Sequence, residues 1–336
     1  MAEGQVGEDF ARSADVYRRE LMAHCYRMLG SVHDAEDLVQ ETYLRAWRAY
    51  DRFEGRSSLR TWLHRIATSA CLNALESRGR RPLPTGLGGP TADPEGPLVA
   101  KPEVPWLEPV PNALVGADST DPATVVASRE SIRLALIAAL QHLPPRQRAV
   151  LILRDVLKWK AAEVAEAVGT TTTAVNSMLQ RARAQLDEVA PTEDEIAEPT
   201  EPEQRELLAR YVAAFERYDV AGLVKLFTED AVWEMPPYLS WVRGAEHIGR
   251  LIAANCPATG PDDMRLVATG ANGQPAYAYY LRGDDGVHRP FQLQVLTLAK
   301  AGVAHATVFF DTRLFQVFGL PQTAPVRPYP PARRPD

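Results

Sequence analysis

The distribution of proline constrains this chain more than any other feature. Ten of its 27 prolines lie between Pro82 and Pro122, and the 81 residues before that stretch contain none. Proline fixes φ and removes a backbone donor, so a stretch this rich in it is neither a helix nor a central strand. The 336 residues therefore divide. Residues 12–81 read as a helical block, 82–124 as an extended proline-rich linker and 125–190 as a second helical block. Residues 191–202 interleave Pro191, Pro199 and Pro202 with Glu193, Asp194, Glu195, Glu198 and Glu201, five acids with no base, which predicts a solvated hinge. Residues 203–320 change texture to a helix followed by strands, and 321–336 read as a disordered tail. This length and punctuation predict a multidomain protein.

With 46% hydrophobic and 24% charged residues, the chain has enough apolar side chains for sizeable cores. Cys25, Cys71 and Cys256 are few and far apart, which fits a reducing compartment and offers no zinc-ligand spacing. The polar start MAEGQVGEDFARS has no apolar run of a signal peptide, and no stretch approaches the roughly 20 apolar residues of a membrane span. The expectation is a cytoplasmic protein with no metal, no cofactor and no membrane partner. A net charge of −6 argues against nucleic acid, but the charge is unevenly placed.

In the first block, Arg18–Gly30 and Asp34–Asp51 have helical spacing. Ser31 to Asp34 supply a cap, and Asp34, Glu36, Asp37 and Glu41 suit the positive end of the second helix's dipole. Its apolar groups are Leu38, Val39, Thr42, Leu44 and Trp47. Aromatic and basic residues then interleave through Tyr50-Asp51-Arg52-Phe53-Glu54-Gly55-Arg56 and Leu59-Arg60-Thr61-Trp62-Leu63-His64-Arg65. A third helix ends in the basic run Ser77-Arg78-Gly79-Arg80-Arg81. Arginines neutralise phosphates and planar rings accept unstacked bases, although core rings beside solvated arginines produce the same pattern.

The second block opens with a helical stripe from Ser128 to His142, carrying Ile132, Leu136, Ala139 and Leu140. Pro145 suits the first turn of the next helix. Ala161–Val168 forms a short helix stopped by Gly169, and Thr171 caps a helix running to about Glu188: a helix-turn-helix pattern. On the last helix Val175, Leu179, Ala182 and Leu186 share one sector. Thr173, Asn176, Ser177, Gln180 and Arg183 lie opposite, flanked by Arg181, and Thr172 precedes them. Such groups are able to read base edges, and arginines to contact phosphates or guanine. Residues 125–190 hold nine Lys/Arg against six Asp/Glu, a local +3, so the remainder carries −9.

The string DAEDLVQETYLRAW, the Phe53–Gly55 loop, RTWLHRIA and ESRGRR together resemble the second conserved region of extracytoplasmic-function sigma factors. LPPRQRAVLILRDVLKWKAAEVAEAVGTTTTAVNSMLQRARAQL resembles their fourth. The resemblance implies that Asp34, Glu36, Asp37, Gln40 and Glu41 face core RNA polymerase, and that Phe53, Arg56, Arg60 and Trp62 engage the −10 promoter element. It further implies that Thr172, Thr173, Asn176, Ser177, Gln180, Arg181 and Arg183 engage the −35 element. Ser69 stands where many relatives have an asparagine, which implies a different −10 base contact; Asn176 and Met178 replace usual basic residues, which implies a different −35 sequence and fewer phosphate contacts.

In residues 203–320, Leu207, Leu208, Tyr211, Val212 and Phe215 form an amphipathic helix. Strands are predicted at Ala231–Met235, Ala276–Leu281, Gln292–Leu298 and Thr307–Asp311. This order resembles the SnoaL-like group of cone-shaped α+β folds, which implies an apolar cavity with Glu234, His247, Tyr277, Gln294, His305 and Asp311 as acid/base candidates. Regulation is the reading preferred over catalysis, with Trp106, Leu107 and Pro109 expected to pack against this extra domain. The expected architecture is two all-α sigma domains, the second with the helix-turn-helix, plus a C-terminal α+β SnoaL-like domain. The expected partners are core RNA polymerase and promoter DNA, with an anti-sigma protein or a small-molecule ligand of the last domain as further candidates. The rivals are a ligand-responsive helix-turn-helix regulator and a small-molecule isomerase or cyclase fused to a DNA-binding module.

Overall fold

A computed structural model describes residues 10–77, 79–117, 129–189 and 202–325. These form two units. The first comprises the described parts of Met1–Gly89 and Ala100–Glu195, together with Gly270–Gln274. The second comprises those of Pro90–Val99, Ile196–Thr269 and Pro275–Asp336. The acidic hinge expected at 191–202 lies, but for Pro202, outside the described residues, as do 118–128 and the tail beyond 325.

In the first unit, α1 (Arg18–Leu29) ends at Gly30, whose φ of 69° lets its N–H turn back to the Tyr26 carbonyl at 2.8 Å. Helix α2 (Val32–Ala49) starts at Ser31, whose hydroxyl accepts from the Asp34 N–H at 3.1 Å. Val32, Ala35, Leu38, Val39, Thr42 and Ala46 form its buried stripe. Leu44 and Trp47, expected among its packing groups, instead stand 54% exposed, because they fall on the opposite side of the wheel. Helix α3 (Leu59–Glu76) is capped by Ser58 and buries Leu63, Ala67, Ala70 and Cys71 against α1 and α2.

The proline-rich stretch is not a free spacer. Leu107 is fully buried, its N–H bonds the Pro82 carbonyl, and the Glu108 N–H bonds the Gly30 carbonyl. Trp106, Leu107 and Pro109 thus lie in the first unit, which also holds Gly270–Gln274, where Asn272 and Val110 bond one another in both directions. The docking of this stretch is electrostatic as well as apolar. The Glu108 carboxylate accepts from the Ser31 hydroxyl (2.7 Å) and the Val32 N–H (3.0 Å) and meets the His33 ring (3.0 Å), at the positive end of α2.

A single turn, α4 (Asn112–Val115), precedes α5 (Leu134–Leu140). The helix expected from Ser128 to His142 is interrupted before Leu134. Asn272 donates to the Ile132 carbonyl at 2.8 Å and the Gln274 amide oxygen accepts the Leu134 N–H at 2.9 Å, so side-chain amides replace ladder bonds. Then follow α6 (Pro145–Leu151), a wider helical turn over Ile152–Val156, α7 (Ala161–Val168) and α8 (Thr172–Val189). Arg148, 3% exposed, donates to the carbonyls of Met28, Gln141 and Leu143 and to the Gln141 side chain, joining α1 to α6. Arg65 of α3 is ion-paired with Glu166 of α7.

The second unit begins with α9 (Pro202–Glu216) and α10 (Val220–Val224). They are followed by β1 (Phe227–Glu234), β2 (Trp241–Arg243), α11 (Ala245–Asn255), β3 (Met264–Ala271), β4 (Gln274–Arg282), β5 (His288–Ala299), β6 (Gly302–Phe309) and α12 (Leu314–Val317). The strand order is β2-β1-β6-β5-β4-β3, with β1 and β6 parallel. Strand β3, which residue patterning did not predict, exposes or half-exposes five of its eight residues and so lacks a clean alternation. The inner face carries Trp233, Tyr279, Leu296, Ala306 and Val308, over which Tyr211 and Phe215 of α9 pack. The Phe215 and Tyr279 rings meet edge-on at 5.1 Å. Residues 90–99 run along this unit as a strap: the Thr91 N–H bonds the Trp241 carbonyl, the Leu239 N–H bonds the Val99 carbonyl, and Glu95 pairs with Arg250.

Candidate nucleic-acid interface

Helices α7 and α8 meet at Gly169, whose φ of 65° makes the tight turn possible. Thr171 caps α8 by accepting from the Ala174 N–H at 3.2 Å. Val175, Leu179 and Ala182 are buried and Leu186 half-buried, which fixes the rotation of the helix. Thr172, Thr173, Asn176, Ser177, Gln180, Arg181 and Arg183 all project to the surface. Six stand exposed on that face. Arg183 instead holds Asp155 in a two-bond ion pair (2.9 and 2.6 Å) that raises its pKa, so it secures α8 to the turn after α6.

In the first helical block the aromatic side chains form a layer. The Phe53 and Trp62 rings stack at 4.7 Å, Tyr50 lies 6.3 Å from Phe53, and Phe10 packs on Tyr50 at 4.9 Å. Arg56 is exposed beside Glu54 (2.6 Å). Arg60, expected at the −10 element, is bound by both oxygens of Glu20 at 2.8 Å, and this bond raises its pKa. That pairing satisfies its guanidinium inside the helical block.

The five acidic-face residues do not behave alike. Asp34 accepts from Arg81 at 2.5 Å, Glu36 is paired with Arg18, and Glu41 with Arg45 at 2.5 Å. Asp37 and Gln40 are exposed and share one side of α2 with Leu44 and Trp47. Residue-by-residue reading missed this apolar half of the face. The spacing Gln40–Leu44–Trp47, opposite Ala35–Val39–Thr42–Ala46, carried the signal.

Beneath these surfaces lies a buried imidazole pair. His24 is 3.0 Å from the Thr68 hydroxyl, with its Nδ1 unpartnered, and its ring lies 5.4 Å from that of His64, whose Nδ1 meets the Arg60 carbonyl at 2.9 Å. Burial lowers the pKa of both, aided at His24 by His64 and Arg27 and opposed at His64 by Glu20. The unfolded chain therefore binds protons that the folded chain refuses. The contribution of these two groups to stability is constant above about pH 6.5 and falls as the pH drops, by up to about 1.4 kcal/mol per pH unit for each histidine. Urea midpoints at pH 7.5, 6 and 5 should fall in that order, and His24→Gln should flatten the trend. A trend unaltered by the substitution would refute this.

In the second unit a cavity of about 280 Å³ is lined by Phe215, Trp233, Leu251, Ile252 and Phe310, with Asn255 and Gln292 among its polar groups. None of the acid/base candidates lines it. Glu234 follows Trp233 and so points to the other face of β1, where it is fully buried against His305 (2.8 Å) and Thr307 (3.3 Å). Gln294 accepts from Tyr211 (2.7 Å) and Tyr279 (2.6 Å) in the core, and His247 bonds the Arg243 carbonyl. Asp311 holds Arg313, and Tyr277 borders a separate, open groove beside α9. Among the described residues no cluster of three or more His, Cys, Asp or Glu could hold a metal, and no helix is long and apolar enough to cross a membrane.

One chain thus carries a helix-turn-helix with a polar exposed face, a helix with acidic and apolar residues on its exposed side, and an appended α+β domain. Family comparisons match Sigma-70 region 2 over residues 14–81, Sigma-70 region 4 over 133–186 and a SnoaL-like domain over 208–308. The chain is 63% identical to the ECF RNA polymerase sigma factor SigG of Mycobacterium tuberculosis, over 94% of its own length and 85% of that protein's. It is 32% identical to the ECF RNA polymerase sigma factor SigJ of the same species, over 81% and 82%. The crystal structure of SigJ superposes with a TM-score of 0.60 and 25% identity, covering 92% of this chain and 99% of that one. The chain belongs to the ECF RNA polymerase sigma factors, here with a C-terminal SnoaL-like domain.

Proposed function

We propose that this chain binds core RNA polymerase, directs it to a particular class of promoters, and has that activity regulated by its SnoaL-like domain. The observation that carries the reading is the presence of both Sigma-70 regions, in order, in a chain 63% identical to an ECF sigma factor across nearly its whole length. In this reading Asp37 and Gln40, with Leu44 and Trp47, meet the polymerase. Phe53 and Trp62 offer the aromatic platform and Arg56 a cation at the −10 element. Asn176, Ser177, Gln180 and Arg181, with Thr172 and Thr173, enter the major groove at the −35 element. Arg60 and Arg183 act by positioning, through Glu20 and Asp155. Trp106, Leu107 and Pro109 seat the Glu108 carboxylate at the start of α2, so that the linker sets the pose of the polymerase-facing helix. The chain has no catalytic activity of its own, a reading supported by its family and by the placement of the acid/base candidates away from the cavity. It works in the compartment that holds the polymerase.

The test is run-off transcription with purified core polymerase, on a template selected from a genomic fragment library. Transcript should appear only with this chain. Asn176→Ala combined with Gln180→Ala should cut output about 10- to 100-fold, because each well-formed base contact is worth about 1–3 kcal/mol. Arg181→Ala should reduce the slope of log affinity against log salt by about 1. Failure of the chain to associate with core polymerase would defeat the proposal outright.

A further inference from the structure

Two lysines in the turn before α7 stand where the local backbone gains nothing from them. Lys158 has a φ of 57°, a left-handed conformation in which an ordinary side chain crowds the chain and glycine is favoured. Lys160 stands at the N-cap of α7, where an acceptor side chain is favoured and an ammonium, with three donors and no acceptor, cannot cap. The positive end of the helix dipole opposes its charge as well. The Glu163 carboxylate accepts the Lys160 backbone N–H at 2.7 Å. Both lysines are exposed, and neither ammonium meets a carboxylate among the described residues. Between them Trp159 is 5% exposed, its N–H bonds the Leu153 carbonyl at 2.9 Å, and its own carbonyl accepts from Arg154. The buried indole thus fixes the turn that displays the two charges.

The turn borders the polar face of α8, because Asp155, just before it in the chain, holds Arg183 of that helix. This bond leaves Arg181 as the one cation of α8 without a carboxylate among the described residues. Duplex affinity comes largely from neutralised phosphates, whereas base-edge contacts carry specificity. The polar side chains of α8 suit the second task, and one guanidinium does little for the first. In a helix-turn-helix the first helix crosses the sugar-phosphate backbone, and α7 is that helix. We propose that Lys158 and Lys160 form a clamp on the duplex backbone beside the −35 element, neutralising phosphates that α8 leaves untouched. Residues that break a local rule without local compensation mark functional sites, and here two of the same charge do so side by side. The clamp deepens the proposed function and rests on it.

The test uses holoenzyme reconstituted from core polymerase and the full-length chain. Its ligands are a duplex carrying the promoter selected by run-off transcription and the same duplex with its −35 element scrambled. Lys158→Gly removes a charge and relieves the left-handed backbone; Lys160→Ser removes a charge and supplies a cap. The double variant should therefore unfold at the parent's urea concentration or a higher one. Its slope of log affinity against log salt should nevertheless be shallower by about 2, with affinity about 10- to 60-fold lower at about 0.1 M salt. The loss should be equal on the two duplexes, because phosphates carry no sequence. Lys158→Arg combined with Lys160→Arg should bind as the parent does, and association with core polymerase should be the same for all three chains. An unchanged salt slope, a loss confined to the intact −35 element, a loss reproduced by the arginine pair, or weakened polymerase binding in place of weakened DNA binding would each overturn the clamp. A parent chain that forms no holoenzyme would defeat the proposed function itself. A parent that binds the promoter no better than the Gly/Ser variant defeats the clamp alone.

Discussion

Replacing Arg148 with methionine should destabilise the first unit by about 3–5 kcal/mol, the range for breaking a buried, multiply bonded charged group. The side chain is 3% exposed and its guanidinium serves the carbonyls of Met28, Gln141 and Leu143 and the Gln141 amide oxygen. Burial has already pulled its pKa down to about 10, yet the group stays cationic at neutral pH. Methionine fills comparable volume but leaves those acceptors unmatched in the interior, where each costs about 1–3 kcal/mol. At a urea m-value of about 2–3 kcal/mol per molar, the midpoint should drop by about 1–2 M. Amide exchange should accelerate together in α1 and α6, which the arginine joins. A midpoint within 0.3 M of the parent's, about the noise of such fits, would show that water replaces the guanidinium without loss.

Trp47→Ala should lower affinity for core polymerase about 30-fold or more while leaving stability within about 0.5 kcal/mol of the parent. A tryptophan 54% exposed beside a 54% exposed leucine, on a helix already buried along its other side, has little to do in the isolated chain. Covered by a partner, its large ring becomes the kind of anchor that dominates interface energies. Fluorescence-polarisation titration of labelled chain with core polymerase measures the first effect, and urea unfolding of the free chain the second. An unchanged affinity would remove Trp47 from the docking face.

The helices were legible because their stop signals are local. Ser31, Ser58, Gly30 and Gly169 act through their own hydroxyls or their own φ, and each stands where a helix begins or ends. The faces of α8 were readable for the same reason: a period of 3.6 separates Val175, Leu179 and Ala182 from Asn176, Ser177 and Gln180 without help from the rest of the chain. What was not legible depends on residues far away in sequence. The break before Leu134 is made by Asn272 and Gln274, about 140 positions on, and nothing in the local pattern announces it. The ion pair of Arg60 was hidden because Glu20, forty residues earlier, cannot be seen from its neighbourhood. Prolines at 82–122 rule out a long helix but do not give the backbone partners: the bonds from Leu107 to Pro82 and from Glu108 to Gly30 cannot be read from the local pattern. In the α+β domain, alternation alone decided which polar residues face the cavity. A one-residue step from Trp233 to Glu234 moves a carboxylate to the opposite side of the sheet.

The ion pair between Arg65 and Glu166 has a mechanical corollary. Promoter elements named for positions −10 and −35 lie about 25 base pairs apart, which at 3.4 Å per step is about 85 Å of duplex. Helices α3 and α7 touch through that pair, and Arg148 fastens α6 to the end of α1. On the proposed reading, in which α3 and α8 engage the two elements at once, loading onto a promoter therefore entails prising the two helical blocks apart. The work of separation is drawn from polymerase and DNA binding together. Substitution of Glu166, which stands on α7 and outside the proposed base-reading face of α8, should therefore alter how readily the factor engages while leaving which −35 sequence it prefers unchanged.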